Sequence, residues 1–284
     1  MSYNKVVIER KLREFLEEDC SFKDVSSQFI KKNEIASAKI ISKCYGYVSG
    51  IEELIQLYEI LNVKVEPRKK DGGIISPKDV IAIVYGEARN ILLGERVALN
   101  LMTHMSAITS STREFVNYIK KRDSSCKIAC TRKTNPGLRI FEKKAVELGG
   151  GDTHRLSLDD MILLKDTHLK HYKGNVKKLL SDVKRYSSFS KKVEIEIEKT
   201  EDVLIAAKHG ADIIMLDNMD HKQLKESIES LKTKNYRERV LIEISGGINI
   251  KNLEKFLEFN PDIISSSKLT LFPNKVIDLS LRFD

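Results

Sequence analysis

Val193-Glu194-Ile195-Glu196-Ile197, Ile213-Ile214-Met215-Leu216 and Val240-Leu241-Ile242-Glu243-Ile244 are short apolar runs, and the segments between them, Thr200–His209 and Lys222–Leu231, have helical spacing. Working outward, Lys127–Cys130, Met161–Leu164 and Ile263–Ser265 are runs of the same kind, with helical segments at Leu138–Leu148, Val176–Tyr186 and Ile250–Phe259. Strands alternating with helices at this spacing predict a parallel sheet joined by right-handed crossovers. Such a set is compatible with a doubly wound sheet or with a (β/α) barrel. No strand is followed by the Gly-x-Gly-x-x-Gly turn that a dinucleotide-binding sheet would carry. Polar residues instead collect at the C-terminal strand ends: Arg132 and Lys133, Lys165 and Asp166, Asp217 and Asn218, and Ser245-Gly246-Gly247. Barrel enzymes draw their sites from that rim, one strand after another. The pattern predicts an α/β barrel, complete or incomplete.

The first hundred residues are of a different kind. Ile8–Leu16 and Ile51–Leu61 have helical spacing, while Ala36–Ser42, Val63–Glu66 and Val80–Tyr85 read as strands, the last two separated by the turn Asp71-Gly72-Gly73. A long helix is expected to start near Gly94, with Val97, Leu101, Met105, Ile108, Phe115 and Ile119 as its buried stripe. Arg96, Asn100 and His104 follow at intervals of four on an adjoining polar strip, facing either a site or solvent.

The 284 residues are 41% hydrophobic and 32% charged, a globular balance with no apolar run long enough to cross a membrane. The N-terminus lacks the apolar core of a secretory signal, so a cytoplasmic protein is expected. The net charge of +8 raises the question of nucleic acid, but acids and bases are mixed throughout and no basic arm stands apart. Small anionic substrates fit better. Cys20, Cys44, Cys126 and Cys130 form no Cys-x-x-Cys pair and have no histidine at zinc-ligand spacing; Cys126 and Cys130 are expected in the core.

The predicted rim supplies Arg132, Lys133, His154, Arg155, Lys165 and His168 as cations or donors, against the carboxylates Glu196 and Asp217. Many fixed positive groups suit a substrate with several carboxylates or phosphates. Two carboxylates on neighbouring strands suit magnesium, which prefers oxygen ligands and binds substrate phosphates as well. Ser245-Gly246-Gly247 offers backbone N–H groups to a phosphate, and Gly149-Gly150-Gly151 is expected to let the backbone approach a ligand closely. Each piece also has an ordinary reading: a solvated strand-end lysine, a loop His-Arg, a simple Ser-Gly-Gly turn. Glu194, Glu196 and Glu198 share one face of a strand, so at least one should be paired or liganded. The case for a site is that all the pieces fall at one end of one predicted barrel.

Set in order, these stretches form a longer pattern: Thr131-Arg132-Lys133-Thr134-x-Pro136-Gly137-Leu138-Arg139, Lys144-Ala145-Val146, Gly149-Gly150-Gly151-x-x-His154-Arg155, Met161 to Asp166 with His168, Val193-Glu194-Ile195-Glu196, Leu216-Asp217-Asn218 and Glu243-x-Ser245-Gly246-Gly247. With Glu17-Glu18-Asp19 and Gly94 to Asn100 upstream, the chain resembles the quinolinate phosphoribosyltransferase family over nearly its whole length. The resemblance implies an N-terminal α/β sandwich domain (residues 1–107, completed by 270–284) and an open seven-stranded α/β barrel of the type II phosphoribosyltransferase kind (residues 108–269). It implies a cytoplasmic enzyme of NAD biosynthesis, a homodimer or larger assembly of dimers, with Arg96 reaching the neighbouring subunit's site. Arg96, Arg132, His154, Arg155 and Lys165 would bind quinolinate. Lys133, His168, Glu196, Asp217, Glu243, Ser245, Gly246, Gly247 and Ser267 would bind phosphoribosyl pyrophosphate. Lys133, Lys165, Glu196 and Asp217 would be catalytic, and Glu196 and Asp217 would hold Mg2+. Neither nucleic acid nor a membrane is expected as a partner.

Some positions depart from the family pattern. Ser267, followed by Lys268, stands where the family usually has glycine, Leu271 replaces a frequent His, and Thr167 replaces Asn. The phosphate end is where these departures fall. The rivals are a nicotinate-using transferase, the molybdenum-operon relative of the family, and a basic nucleic-acid-binding protein. The retained Pro136-Gly137-Leu138-Arg139 and Leu164-Lys165-Asp166 argue against the second, and the number of cations argues against the first.

Overall fold

The structure, a computed structural model, describes residues 3–284. In chain order the elements begin with α1 (Lys5–Asp19), β1 (Ile35–Ser42), β2 (Gly46–Tyr47), α2 (Ile51–Ile60), β3 (Lys64–Pro67), β4 (Ile74–Ile75), β5 (Val80–Glu87) and α3 (Ala88–Lys121). There follow β6 (Lys127–Cys130), α4 (Arg139–Leu148), β7 (Ile162–Leu164), α5 (Asp166–His171), α6 (Val176–Tyr186), β8 (Val193–Ile197), α7 (Thr200–Lys208), β9 (Ile213–Asp217), α8 (His221–Thr233), β10 (Leu241–Ser245), α9 (Glu254–Leu257), β11 (Ile263–Ser266) and β12 (Leu279–Phe283). The chain divides into two compact units.

The first unit comprises the residues up to Arg113, Thr134–Gly150 and Leu269–Asp284. Its sheet has the order β12-β1-β5-β3, antiparallel at every pairing, so a strand from the C-terminus hydrogen-bonds to the N-terminal sheet. Asp71, expected only as a turn residue, also caps α2: its carboxylate accepts the Ile51 N–H at 3.0 Å. The long helix α3 starts at Ala88, six residues before Gly94. Gly94 is a contact point rather than a boundary, since a Cβ there would lie 2.8 Å from Tyr58 Cε1 and 2.9 Å from Leu61 Cδ1. Glycine lets α2 and α3 pack closely at that point.

The second unit comprises Glu114–Lys133 and Gly151–Lys268. Six strands lie parallel in the order β6-β11-β10-β9-β8-β7. The last strand in sequence, β11, thus pairs with the first, β6, and the sheet curls back on itself. The seventh strand is reduced to one parallel bridge, Ala129 with Asp152, in which the Asp152 N–H donates to Ile128 O at 2.8 Å and the Cys130 N–H to Asp152 O at 3.0 Å. Between that bridge and β7 no pairing exists among the described residues, so the barrel is open there. The strands are buried on both faces, with Ile195, Ile197, Ile214, Leu216, Ile242 and Ile264 fully enclosed, as expected of a parallel sheet. Acids at strand starts lock the register: Asp212 accepts the Val193 N–H and Asp262 the Ile242 N–H, each at 2.7 Å.

Two local expectations change. The helix expected over Ile250–Phe259 shrinks to α9, Glu254–Leu257. Asn249 and Asn252 offer the backbone side-chain partners instead: Asn252 Oδ1 accepts the Asn249 N–H at 2.8 Å and Asn249 Oδ1 accepts the Lys251 N–H at 2.9 Å. In the other, Gly149 was expected to face a ligand. A Cβ there would fall 2.5 Å from Thr112 Cβ and 2.9 Å from Thr109 O, so its close neighbour is helix α3.

Candidate active site

The C-terminal ends of the barrel strands carry the residues singled out in the sequence. Arg132 and Lys133 follow β6, Lys165 follows β7, Glu196 lies in β8, Asp217 ends β9 and Ser245 ends β10. Asp217 pairs in register with Ser245, and Glu196 with Met215, two residues before Asp217 on the same strand face. Helix α8 begins just beyond Asp217 with a reciprocal cap, in which Asp220 Oδ1 accepts the Gln223 N–H and Gln223 Oε1 accepts the Asp220 N–H, both at 2.9 Å. That cap fixes where the Asp217-Asn218 end turns away from the sheet.

Arg155 and Arg132 form the cationic side. Arg155 is 7% exposed; burial and then the nearby charge of Arg132 hold its guanidinium below the usual arginine range. Arg132 Nε is buried without a hydrogen-bond partner. Two guanidiniums held close, one with a buried unmatched N–H, favour an anion between or beside them. Lys165 Nζ lies 2.7 Å from Glu196 Oε1, which joins a cation and a carboxylate that were expected to serve different parts of the substrate. Lys165 also opens α5, a short helix not expected from the sequence, where its own N–H donates to His168 Nδ1 at 2.9 Å. His168 is exposed and acts there as a local cap.

Of the three glutamates expected on one strand face, Glu194 and Glu196 lie in β8 and Glu198 falls just beyond its end. Glu194 is fully buried, Glu196 is partly buried against Lys165, and Glu198 is exposed. His154 Nε2 is 3.0 Å from Glu243 Oε2, a hydrogen bond, and 3.3 Å from Glu194 Oε2, an ion-pair distance at a poorer angle. Burial pushes the Glu194 carboxyl up to about 7, against the pull of His154. Burial also disfavours charge on His154, and the adjacent carboxylates of Glu194 and Glu243 outweigh it, pushing its pKa up to about 10. On the other side of the ring, His154 Nδ1 lies 2.8 Å from the Arg155 backbone nitrogen. Glu243, expected at the phosphate end, is fully buried and turned to His154.

At the phosphate end, Gly246 has φ +108°, and a Cβ there would lie 2.4 Å from Asn218 Oδ1 and 2.9 Å from Asn218 Cα; Gly247 has φ +61°. Only glycine takes the first of these positions without strain. Ser267 stands in the 3-10 turn after β11, and the preceding Ser266 Oγ donates to Ile248 O at 2.7 Å. Arg96 lies on the exposed face of α3 in the first unit; two turns on, His104 Nε2 is 2.8 Å from the buried Glu142 Oε1. A cavity of about 540 Å³ opens in the second unit at the opposite, starting ends of the strands, lined by Lys127, Lys192 and Asp262 and reaching His154 and Arg155.

Magnesium was expected at Glu196 and Asp217. They are oxygen donors at the ends of adjacent strands, partly exposed, and this donor chemistry fits a hard cation that completes its shell from substrate and water. The one cluster of three metal-type side chains among the described residues, His154, Glu194 and Glu243, fits it less well, because one of its three donors is an imidazole nitrogen and magnesium takes oxygen.

Fold and site together define an open α/β-barrel enzyme whose strand ends gather cations and carboxylates. The chain belongs to the quinolinate phosphoribosyl transferase family: the family's N-terminal domain matches residues 24–106 and its C-terminal domain residues 108–282. It is 37% identical over 272 residues to a probable nicotinate-nucleotide pyrophosphorylase (carboxylating) of Methanothermobacter thermautotrophicus, covering 95% of this chain and 97% of that protein. The Rattus norvegicus nicotinate-nucleotide pyrophosphorylase (carboxylating) is 33% identical, over 94% of this chain and 88% of the relative. Among solved structures, NadC from Streptococcus pyogenes superposes with a TM-score of 0.89 at 32% identity, covering 100% of this chain and 99% of that one.

Proposed function

We propose that this protein transfers the phosphoribosyl group of phosphoribosyl pyrophosphate to the ring nitrogen of quinolinate, releasing carbon dioxide and giving nicotinate mononucleotide and pyrophosphate in NAD biosynthesis. The observation that carries this reading is the Arg132–Arg155 pair, two close guanidiniums with a buried unmatched N–H, inside a chain of this family. A pyridine dicarboxylate supplies the two anions that such a pair favours; nicotinate supplies only one.

No protein base is needed for the first step. The lone pair of the quinolinate nitrogen attacks the anomeric carbon as the bond to pyrophosphate breaks, and pyrophosphate leaves with the electron pair. The transition state has oxocarbenium character, which nearby carboxylates stabilise. The ring is then a pyridinium. The bond to the 2-carboxylate breaks with loss of carbon dioxide, its electrons held beside the cationic nitrogen, and that carbon takes up a proton. The residues' work is orientation and fixed charge. Arg132, Arg155 and Lys165 hold the carboxylates, and Lys133 follows the charge of the departing pyrophosphate. Ser245, Gly246, Gly247 and Ser267 line the phosphate end. Glu196 and Asp217 would hold Mg2+, which when bound neutralises pyrophosphate charge. We further propose a cytoplasmic homodimer in which Arg96 completes the neighbouring subunit's site. Purified protein given quinolinate, phosphoribosyl pyrophosphate and magnesium tests the reading by the formation of nicotinate mononucleotide.

A further inference from the structure

Glu142, in the first turn of α4, is fully buried, and no step of the proposed reaction uses it. Taking a carboxylate out of water is costly unless hydrogen-bond donors surround it. Here Asn135 gives two: its side-chain Nδ2 donates to Oε1 at 2.7 Å and its backbone N–H to Oε2 at 3.2 Å. The third partner is His104 on α3, whose Nε2 lies 2.8 Å from Oε1. All three residues belong to the first unit.

Asn135 stands two residues after Lys133, in the stretch that leads from β6 to α4. No residue from Thr131 to Arg139 is buried as a whole, and Lys133, Pro136 and Gly137 are exposed. A cavity of about 470 Å³ in the first unit opens against Pro136 and Leu138, lined also by Asn100 and His104. Apolar packing therefore does little to fix this loop, and polar ties do the holding. Asn135 O accepts the Leu138 N–H at 3.1 Å, closing a turn in which Gly137 has φ +82°. Thr134 Oγ1 accepts the Arg139 Nε–H at 3.1 Å. Glu142 makes the tie whose acceptor is shielded from water, where a hydrogen bond is strongest. Lys133 is thus bracketed: its own N–H donates to Thr131 Oγ1 at 3.1 Å, and the chain two residues on is fixed to α4. For stability alone an apolar side chain at 142 would serve, since α4 already buries Phe141, Ala145 and Val146. A carboxylate there specifies the shape of a loop, and that loop carries Lys133.

We infer that Glu142 is a positioning residue: by holding Asn135 it sets where Lys133 stands as pyrophosphate departs, and His104 keeps the carboxylate turned to the loop. The inference rests on the phosphoribosyl-transfer reading for the role of Lys133, but the tether between Glu142 and the loop does not.

The test uses the full-length protein. Glu142→Leu, of similar size but without an acceptor, should lower kcat/KM for phosphoribosyl pyrophosphate about ten-fold or more and leave the quinolinate Kd within about two-fold. Glu142→Gln keeps Oε1 as an acceptor for Asn135 and should stay within about three-fold of wild type. In a Lys133→Ala background, Glu142→Leu should cost no more than about two-fold further, because its effect passes through Lys133. Trypsin gives a readout independent of turnover: cleavage of the native protein after Lys133 should be about ten-fold faster in Glu142→Leu than in wild type. A full additional loss in the Lys133→Ala background, an equal loss of quinolinate binding, or cleavage at the wild-type rate would each overturn the inference. Should Glu142→Leu not fold, Asn135→Ala, which removes the 2.7 Å bond from Nδ2, takes its place in the same measurements. Wild-type protein that does not turn over quinolinate would refute the functional reading, and the cleavage rates would still test the tether.

Discussion

Lys165 Nζ and Glu196 Oε1 meet at 2.7 Å across two adjacent strands, so before substrate arrives the lysine is already held by a carboxylate assigned to the metal side of the site. The lysine side chain is 45% exposed, and such a pair contributes only about 0–1 kcal/mol to folding. Its weakness suits a partner exchange, in which Lys165 moves to a substrate carboxylate and Glu196 to the cation. Glu196→Gln should therefore leave quinolinate binding as tight or tighter by calorimetry, while kcat falls about 100-fold. Loss of quinolinate binding in that variant contradicts the exchange.

Arg132 and Arg155 repel one another until an anion arrives. Quinolinate at about 100 times its Kd should raise the stability of the wild-type protein by about 2.7 kcal/mol, read as a higher Tm. Arg132→Ala should lose that shift and yet be no less stable than wild type without ligand. An Arg132→Ala protein that keeps the full shift would show that the pair is not the anion site.

Gly94 and Gly149 are tests of packing rather than chemistry. Their missing Cβ atoms face Tyr58 and Leu61 in one case and Thr112 and Thr109 in the other. Gly94→Ala and Gly149→Ala should each destabilise by about 1–3 kcal/mol in denaturant titrations, as overpacking does. Wild-type midpoints would show that those helices have room to move apart.

How much of this was legible in the sequence differs from residue to residue. The strands were, because a strand buried on both faces needs a nearly continuous apolar run, and Val193–Ile197 matches its expected bounds at both ends. The rim was legible from Asp217 and Ser245, which follow those runs. Gly94 and Gly149 were not, since a glycine reads the same whether it ends a helix or admits a neighbouring one. Asn249 and Asn252 overrode helical spacing through side-chain hydrogen bonds that spacing does not encode. The fates of Glu194 and Glu243 depend on depth within the barrel, which alternation along a strand cannot give. The Lys165–Glu196 pair had no signal except the expectation that alternating glutamates along a strand demand a partner.

The cysteines divide by burial. Cys126 and Cys130 are buried, and burial pushes the Cys126 thiol up to about 12, so at pH 8 it stays protonated and unreactive. Native protein should alkylate at Cys20 and Cys44 and take up label at all four only when unfolded. Fast labelling of Cys126 in the native state would contradict the packing around β6.

If Arg96 completes a neighbouring site, mixing Arg96→Ala with Lys165→Ala protein should restore part of the activity that each lacks, because a mixed dimer carries one intact site. Mixtures no more active than their components, under conditions where subunits exchange, would place Arg96 outside the site.

The central claim is the substrate. Purified protein with magnesium and phosphoribosyl pyrophosphate should turn quinolinate into nicotinate mononucleotide with one carbon dioxide per product, and should leave nicotinate unchanged. Turnover of nicotinate with quinolinate inert would contradict the account.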